Sequence, residues 1–278
     1  WKVAYCNKFS IQDIYSPIGI FNYIDSLSNN FSTLSISRKY KFYADPFIFN
    51  SNIILEGLNK DTRKGDLLLI DIDSNSIIDK LSYENNHLSY PYTIKVLDKT
   101  FIYPDSGRLK NSIIIQKKKD VSQKKFYMNA FKIGLIDPSV LEHNGLFYLF
   151  ANYPHEKCIL RLWVSSDPFF NTLEEHPDSP VCISPFGGRS GGRIFRMEDK
   201  IFRFGQDLSG DYGNGLILFE ISSLTRTNFS ESIISSFKFK STSKGPHNID
   251  FSSNIITWDY YHEKLNLLAG LNRVLSKF

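Results

Sequence analysis

Five stretches of the chain repeat one pattern, in which an apolar strand, a short polar turn and a second apolar strand follow one another. Each turn carries Asn, Asp or Gly, and such turns between runs of alternating polarity are typical of β-hairpins. The repeats occupy residues 44–57, 89–105, 136–152, 190–207 and 246–260. Because this self-similarity spans the whole chain, it restricts the fold to repeat architectures.

The spacing of the repeats identifies the architecture. Aligned on Asp45, the equivalent positions are Tyr90, Asp137, Gly191 and His247, at intervals of 45, 47, 54 and 56 residues. This is the length of a four-stranded propeller blade. We therefore predict an all-β fold, a five-bladed β-propeller that forms one domain over the whole chain; the alternative is a β-sandwich with coincidentally similar hairpins. The predicted blades lie near residues 39–80, 87–120, 135–168, 188–224 and 245–261.

The two ends of the chain carry separate predictions. Residues 1–6 form a spare strand, which we expect to close the ring by pairing into the last blade. Residues 263–277 show apolar residues at helical spacing, which predicts a short C-terminal helix packed on the outside of the propeller. The alternative is an interfacial helix that makes peripheral membrane contact through residues 263–278. Since the sequence starts with Trp1, we expect at least an initiator Met to precede it.

Composition narrows the function classes. A net charge of +4 over 278 residues gives no electrostatic argument for nucleic acid, so we expect no nucleic-acid partner. The 15% aromatic content suits strands and sugar-facing surfaces. Three cysteines without CxxC spacing argue against a disulfide framework and favour a reducing compartment. With neither a signal peptide nor an apolar run near the ~18 residues that span a bilayer, we expect a cytoplasmic protein.

The aspartates at the repeat positions are the first candidates for chemistry. In a propeller the first strand of each blade lines the central channel, so Asp45, Tyr90, Asp137 and His247 are expected to face one funnel. Asp45 and Asp137 each precede a proline, and an Asp-Pro step can simply begin a strand. Two Asp-Pro steps at equivalent positions of the repeat favour a functional site over the simple start of a strand. Paired carboxylates suit glycosyl chemistry, so we predict that both aspartates are catalytic.

Blade four and the mouths of the other blades supply further candidates. The segment GGRSGGRIF, residues 187–195, carries two arginines that can hold a carboxylate or phosphate in a bidentate manner, or else belong to a solvated surface loop. The segment 207–211 lacks a full calcium ligand set, so no metal is predicted. Asp207 is a third catalytic candidate. The predicted substrate-binding residues are Glu56, His87, Tyr90, Arg189, Arg193, Gln206, Tyr212 and His247.

These residues carry a resemblance to known propellers. The stretch IDPSVLEHNGLFYLF, residues 136–150, is similar to a blade phrase of glycoside hydrolase families 43, 32 and 68. The whole chain more specifically resembles the propeller domain named for the N-terminal part of glucosamine inositolphosphorylceramide transferase. The matching phrases are ADPF (44–47), HLSYP (87–91), GGRIF (191–195), QDLSGDYG (206–213) and GPH (245–247).

The resemblance implies an acid pair and leaves a third acid missing. The hydrolase families use acids in blades one, three and four, and Asp45 and Asp137 match the first two. Blade four offers Gly191, Gly192 and Arg193 where the general-acid Glu would stand. Arginine there suits a leaving group that is already an anion, such as a nucleotide diphosphate or a sugar phosphate.

We therefore expect a glycosyltransferase of bacterial surface-polysaccharide assembly. It would use a nucleotide sugar as substrate, a saccharide or lipid-linked acceptor, and no resident cofactor. One alternative is a glycoside hydrolase or phosphorylase of the same fold, with Asp207 or Glu56 as the acid. Another is a non-catalytic carbohydrate-binding propeller.

Overall fold

The protein is a five-bladed β-propeller, as the repeats predict. The computed structural model describes residues 1–27, 30–83, 86–117, 123–128, 130–210, 212–240 and 243–262. The first 33 residues contain strand β1, a 3₁₀ turn, helix α1 and strand β2. Their bounds are Lys2–Cys6, Ile11–Asp13, Gly19–Ser26 and Ser32–Thr33.

Five antiparallel sheets follow one another along the chain. Blade one contains β3 (Tyr40–Phe49), β4 (Asn52–Asn59), β5 (Gly65–Asp71) and β6 (Ser76–Leu81). Blade two contains β7 (Ser89–Val96), β8 (Lys99–Asp105), β9 (Ile113–Lys117) and β10 (Gln123–Tyr127). Blade three contains β11 (Ile136–His143), β12 (Leu146–Asn152), β13 (Ile159–Ser165), β14 (Leu173–Glu175) and β15 (Cys182–Ile183). Blade four contains β16 (Phe186–Ser190), β17 (Phe195–Met197), β18 (Lys200–Asp207), β19 (Gly215–Leu224) and β20 (Phe229–Phe237). Blade five contains β21 (Ser243–Lys244), β22 (Ile249–Phe251) and β23 (Ile256–His262), together with β1 and β2.

The two ends of the chain meet in blade five. Strand β1 pairs antiparallel with β23, and Ala4 lies opposite the fully buried Trp258. This pairing confirms the prediction that the N-terminal segment closes the ring. It also satisfies an edge of the last blade that would otherwise leave its backbone groups unpaired.

Large apolar side chains fill the space between neighbouring blades. Phe47 of blade one packs edge-on against Tyr90 and Tyr92 of blade two, with ring centroids 4.9 and 5.3 Å apart. Phe131 packs in the same manner on Trp163, at 5.1 Å. Such aromatic pairs bury a large area in a defined geometry, which fixes each blade against the next.

The inner strands of the first three blades share one irregularity. The pairing register shifts in the middle of β3 and where β7 and β11 begin, and at these shifts Asp45, Tyr90 and Asp137 have φ of 52°, 44° and 44°. Positive φ is uncommon outside glycine, and each such residue costs on the order of 1–3 kcal/mol. Bulges of this kind re-aim side chains next to functional sites. The repeated strain therefore marks these three positions as candidates for function.

Blade four departs from the repeat pattern. The alignment predicts one continuous inner strand from Ser190, whereas the structure divides it into β16 and β17. Between them Gly192 turns to blade five and forms a parallel bridge with Ile249. A Cβ on Gly192, whose φ is 141°, would lie 2.0 Å from the Ile249 carbonyl oxygen, so only glycine allows this crossing.

The helices differ from the prediction. Helix α1, between β1 and β2, was not predicted; it buries Ile20, Phe21 and Ile24, and Phe21 stacks on Phe237 of blade four. The predicted C-terminal helix, 263–277, lies outside the described residues. No helix among the described residues is long and apolar enough to span a membrane.

Candidate active site

A buried histidine joins the first and last blades at the channel. His247 Nε2 lies 2.9 Å from Asp45 Oδ1, and His247 Nδ1 lies 2.9 Å from Asp259 Oδ2. The Asp259 carboxylate also accepts the backbone N–H groups of Asp45, His247 and Asn248, at 3.0 to 3.1 Å. Burial lowers the pKa of His247, but the two carboxylates outweigh it and raise the pKa to about 10. At neutral pH the ring is therefore an imidazolium between two carboxylates.

The same three side chains have the chemistry of metal ligands. Among the described residues, Asp45, His247 and Asp259 are the group whose ligand atoms lie close together, within 4.8 Å. A metal-bound histidine must present a neutral nitrogen. Here both ring nitrogens lie 2.9 Å from carboxylate oxygens, so the protonated ring forms an ion pair with both aspartates and would have to lose a ring proton before it could ligate a metal.

The second catalytic candidate, Asp137, is held by blade four. Its Oδ2 accepts Arg189 Nε at 2.5 Å and Gln206 Nε2 at 2.9 Å. Gln206 Nε2 also donates to the Ser190 carbonyl oxygen at 2.7 Å. Burial lowers the pKa of Arg189, but the charge of Asp137 outweighs it and raises the pKa above its ordinary value. Asp45 and Asp137 therefore share one design, a buried carboxylate beside a cation supplied by another blade.

Two further carboxyl groups near these aspartates have no cation at hydrogen-bond distance among the described residues. Glu56 on β4 lies opposite Ala44, and Asp105 on β8 lies opposite Ser89. Burial raises the pKa of Glu56 well above its ordinary value, and the charges of Asp45 and Asp105 raise it further. Burial and the charge of Asp137 raise the pKa of Asp105 to about 7. The cluster thus contains two carboxyl groups with charged partners and two whose pKa is raised.

Aromatic rings cover the histidine side of the cluster. The Trp1 ring lies 4.2 Å from the His247 ring, and the Tyr212 ring lies 5.0 Å from it, between centroids. The Arg189 guanidinium stands over the Tyr212 ring at 5.6 Å. Tyr212 is 47% exposed, so one side of this platform faces solvent beside the carboxylates. Aromatic faces of this kind suit the apolar faces of sugar rings.

Comparison with known proteins places the chain in a family. Residues 28–252 match the family model described as glucosamine inositolphosphorylceramide transferase 1, N-terminal. The chain belongs to this family. The rice (Oryza sativa subsp. japonica) protein named glucosamine inositolphosphorylceramide transferase 1 is 29% identical over 205 residues, which are 68% of this chain and 27% of that protein. The chain therefore corresponds to about a quarter of the length of this curated relative. The match confirms the resemblance seen in the sequence phrases.

Solved structures of the same fold include carbohydrate-active enzymes. A family 117 glycoside hydrolase from Zobellia galactanivorans superposes with a TM-score of 0.50 at 12% identity, covering 78% of this chain and 83% of that one. A thermostable family 43 glycoside hydrolase has a TM-score of 0.45 at 13% identity, covering 80% and 90%. The first likeness shows that this member of the transferase family shares the propeller fold.

Several predicted residues of this family member meet at the site. Asp45, Asp137, Arg189, Gln206 and His247 form the two ion-paired clusters. Glu56 and His87 lie together beside them, with His87 Nε2 3.6 Å from Glu56 Oε1. Tyr212 forms part of the aromatic cover.

Tyr90 is placed at the site but turned away from it. Its backbone N–H donates to Asp45 Oδ2 at 3.2 Å. Its hydroxyl is fully buried, 3.0 Å from both Ser139 Oγ and the Gly192 backbone nitrogen. The phenol therefore links blades two, three and four, and its hydroxyl is not presented to a substrate.

Arg193 is engaged in an internal network. Its Nε and Nη2 atoms donate to both carboxylate oxygens of Asp250, and its Nη1 and Nη2 atoms donate to the carbonyl and hydroxyl oxygens of Thr93, each at 3.1 Å. This network joins blades two, four and five. The predicted contact of Arg193 with a leaving phosphate does not fit this geometry, whereas Arg189 lies at the carboxylate cluster.

Asp207 does not join the other two aspartates. Its Oδ1 accepts the backbone N–H and hydroxyl of Ser209, at 2.9 and 2.6 Å, and its Oδ2 accepts Asn214 Nδ2 at 2.7 Å. Neighbouring residues of a strand point to opposite faces, so Asp207 faces away from the aspartate that Gln206 contacts. Asp207 instead holds the loop that carries Tyr212 in place through these hydrogen bonds. This placement does not support the predicted role of Asp207 as an acid. Asp211 lies outside the described residues.

Three residues of the site were not predicted: Asp105, Asp259 and Trp1. Asp105 and Glu56 occupy equivalent positions on the second strands of blades two and one. An alignment of second strands would have identified it. No signal in the sequence connects Trp1 to the site, because its place depends on the closure of the ring.

Proposed function

We propose that this propeller transfers a sugar from an activated phosphate donor, a nucleotide sugar or sugar phosphate, to a saccharide or lipid-linked acceptor. The observation that carries the proposal is the repeated design of Asp45 and Asp137. Each is a buried carboxylate at a residue of positive φ in an inner strand, beside a cation from another blade. Two carboxylates held in this way suit reactions through an oxocarbenium-like state.

The residues take separate roles in the proposed reaction. Asp45 acts as the base or nucleophile, and His247 orients its carboxylate. Asp137 supports the positive charge that develops on the sugar. Arg189, whose Nη atoms make no hydrogen bond to a described residue, meets the departing phosphate. Tyr212 and Trp1 receive a sugar ring or the acceptor.

The wider role is proposed from the relatives. The plant relatives carry the name glucosamine inositolphosphorylceramide transferase 1. We place this propeller in bacterial surface-polysaccharide assembly, at the cytoplasmic side of the membrane, where nucleotide sugars and lipid-linked acceptors meet. The plant proteins extend far beyond the matched part, so their substrates serve as the first compounds to test.

The test is a donor screen with the purified chain. Each nucleotide sugar is incubated with inositol phosphate headgroups and oligosaccharide acceptors, and the released nucleotide is measured. Asp45→Asn keeps the shape of the side chain and should lower the rate by about 10²–10⁴. Release by the wild type that Asp45→Asn leaves unchanged, or no release with any donor, would overturn the proposal.

A glycoside hydrolase or phosphorylase is the second candidate function. The observation that favours it is Glu56, a buried carboxyl near Asp45 that can serve as the acid absent from blade four. This candidate predicts that free sugar or sugar phosphate is released from an oligosaccharide without any nucleotide donor. Saccharide binding without turnover would instead select a non-catalytic propeller.

A further inference from the structure

We propose that Glu56 is the proton donor of the reaction and that His87 positions its carboxyl group. The inference rests on the proposed function, because it assigns a step of sugar transfer at the same site. It places the acid between blades one and two, where Glu56 of β4 lies beside His87.

The surroundings of Glu56 are built to hold a neutral carboxyl group. Its side chain is 8% exposed and accepts no hydrogen bond from a described residue. Gly65 forms one wall, since a Cβ there would lie 2.7 Å from Glu56 Oε1 and 2.3 Å from the Leu88 carbonyl oxygen. A buried carboxyl without donors is stabilised in its protonated form. Asp45 and Asp137, which have cations and several donors, show the contrasting arrangement.

His87 lies beside the Glu56 carboxyl group and turns a ring nitrogen towards it. The Gly65 backbone N–H donates to His87 Nδ1 at 2.9 Å. The ring proton of neutral His87 therefore resides on Nε2, which lies 3.6 Å from Glu56 Oε1. Burial lowers the pKa of His87, and the charge of Arg108 lowers it further, so the ring stays neutral. A donor facing Oε1 leaves Oε2 as the oxygen that carries the acidic proton.

Four charged side chains on other elements change the pKa of Glu56. Asp45 on β3 and Asp105 on β8 raise its pKa beyond the effect of burial, while His247 and Arg108 lower it. The balance favours the neutral acid. A neutral Glu56 also leaves the site less negative, which favours the approach of an anionic phosphate.

Glu56 and Asp45 account for both proton transfers in the proposed reaction. The bond between the anomeric carbon and the phosphate oxygen breaks, and Glu56 gives its proton to that oxygen. The acceptor hydroxyl bonds to the anomeric carbon and gives its proton to Asp45. Exchange with water then returns a proton to Glu56 and removes one from Asp45.

Infrared spectroscopy tests the protonation state without any substrate. We expect the folded wild type at pH 7 to show the carbonyl stretch of protonated carboxyl groups, and Glu56→Gln to remove the Glu56 part of this band, while the part due to Asp105, whose pKa is about 7, remains. Glu142→Gln, a change of the same kind at an exposed position, should keep the band. His87→Asn should change the pH at which the band disappears. A band that Glu56→Gln leaves unchanged would overturn the inference.

Kinetics separates this inference from the proposed function. Once transfer is observed, Glu56→Gln should lower kcat by about 10²–10⁴ and abolish the fall in rate at high pH, while thermal unfolding shows an intact fold. Normal transfer by Glu56→Gln at every pH would contradict the role of Glu56 as proton donor and would not contradict the proposed function. Absence of transfer by the wild type overturns the proposed function, and the infrared band still decides whether Glu56 carries the proton.

Discussion

His247 in blade five provides the positive charge that faces Asp45 in blade one, across a distance of 2.9 Å. The two residues are 202 positions apart in the sequence, and only the closed ring brings them together. The same histidine faces Asp259 on its other side, so its charge is shared by two buried carboxylates. This relationship connects the stability of the propeller to the electrostatics of its site.

Removal of His247 should change how stability depends on pH. An unfolded histidine titrates near 6.5, and the pKa in the folded state is about 10. The proton is bound more tightly in the folded state, so its stabilisation is complete below pH 6.5 and is lost as pH rises towards 10. We expect His247→Asn to lower the free energy of unfolding by about 3–5 kcal/mol at pH 6 and by less at pH 9.

Denaturant unfolding at several pH values measures this effect. His155→Asn is the matched control, because the His155 side chain is 71% exposed. Equal losses at pH 6 and pH 9 would show that the ion pairs of His247 do not stabilise the fold.

The two arginines of blade four should respond differently to substitution. Arg193→Gln leaves Asp250 buried without its cation and should lower the free energy of unfolding by about 3–5 kcal/mol. Arg189→Gln should affect the proposed transfer more than the fold, because Asp137 keeps the hydrogen bond from Gln206. Thermal unfolding and the donor screen together compare the variants. A smaller loss of stability in Arg193→Gln than in Arg189→Gln would contradict this assignment.

Asp207→Asn should retain activity. Its carboxylate binds Ser209 and Asn214, and an amide keeps one acceptor oxygen for these contacts. We expect a rate within a few-fold of the wild type in the same assay in which Asp45→Asn is inactive. A fall in rate as large as that of Asp45→Asn would show that Asp207 does take part in the reaction.

Gly65→Ala should disturb the Glu56 pocket. The added methyl group would meet the Leu88 carbonyl oxygen and the Glu56 carboxyl group, and overpacking of this kind costs about 1–3 kcal/mol. Gly210→Ala is the control, since the nearest atom to its added carbon lies 3.8 Å away. The melting temperatures of both variants test the prediction, which fails if Gly65→Ala is as stable as Gly210→Ala.

Tyr212→Ala should weaken saccharide binding and leave the fold intact. The ring stands against His247 and under Arg189 with one side exposed, and an aromatic contact of this kind is worth about 0.5–1.5 kcal/mol. We expect KM for the saccharide to rise by up to about 10-fold with little change in kcat. Tyr15→Ala, at a side chain that is 88% exposed, is the control. An unchanged KM in Tyr212→Ala would remove the ring from the binding surface.

The repeats predicted most of the fold because blade length, strand alternation and turn residues are local properties of a sequence. They also brought Asp45, Asp137 and His247 to one channel, since equivalent positions of inner strands converge in a propeller. Helix α1 was missed. It lies between the two strands of the ring closure, where no repeat pattern applies.

The direction of each side chain was harder to predict than its position. Tyr90 shares the phase of Asp45, yet its long side chain reaches Ser139 and Gly192 in the interior. Arg193 forms an ion pair with Asp250, and no local sequence pattern connects the two residues. Asp207 could have been rejected from alternation alone, because it follows Gln206 on the same strand.

Closure of the ring has a consequence for the proposed transfer. Strand β1 completes the last blade, and Trp1 just before it reaches the ring of His247. An open, partly folded ring would lack both the cation of Asp45 and half of the aromatic cover. The proposed transfer should therefore depend on the pairing of β1 with β23, and molecules in which blade five is open should not carry it out.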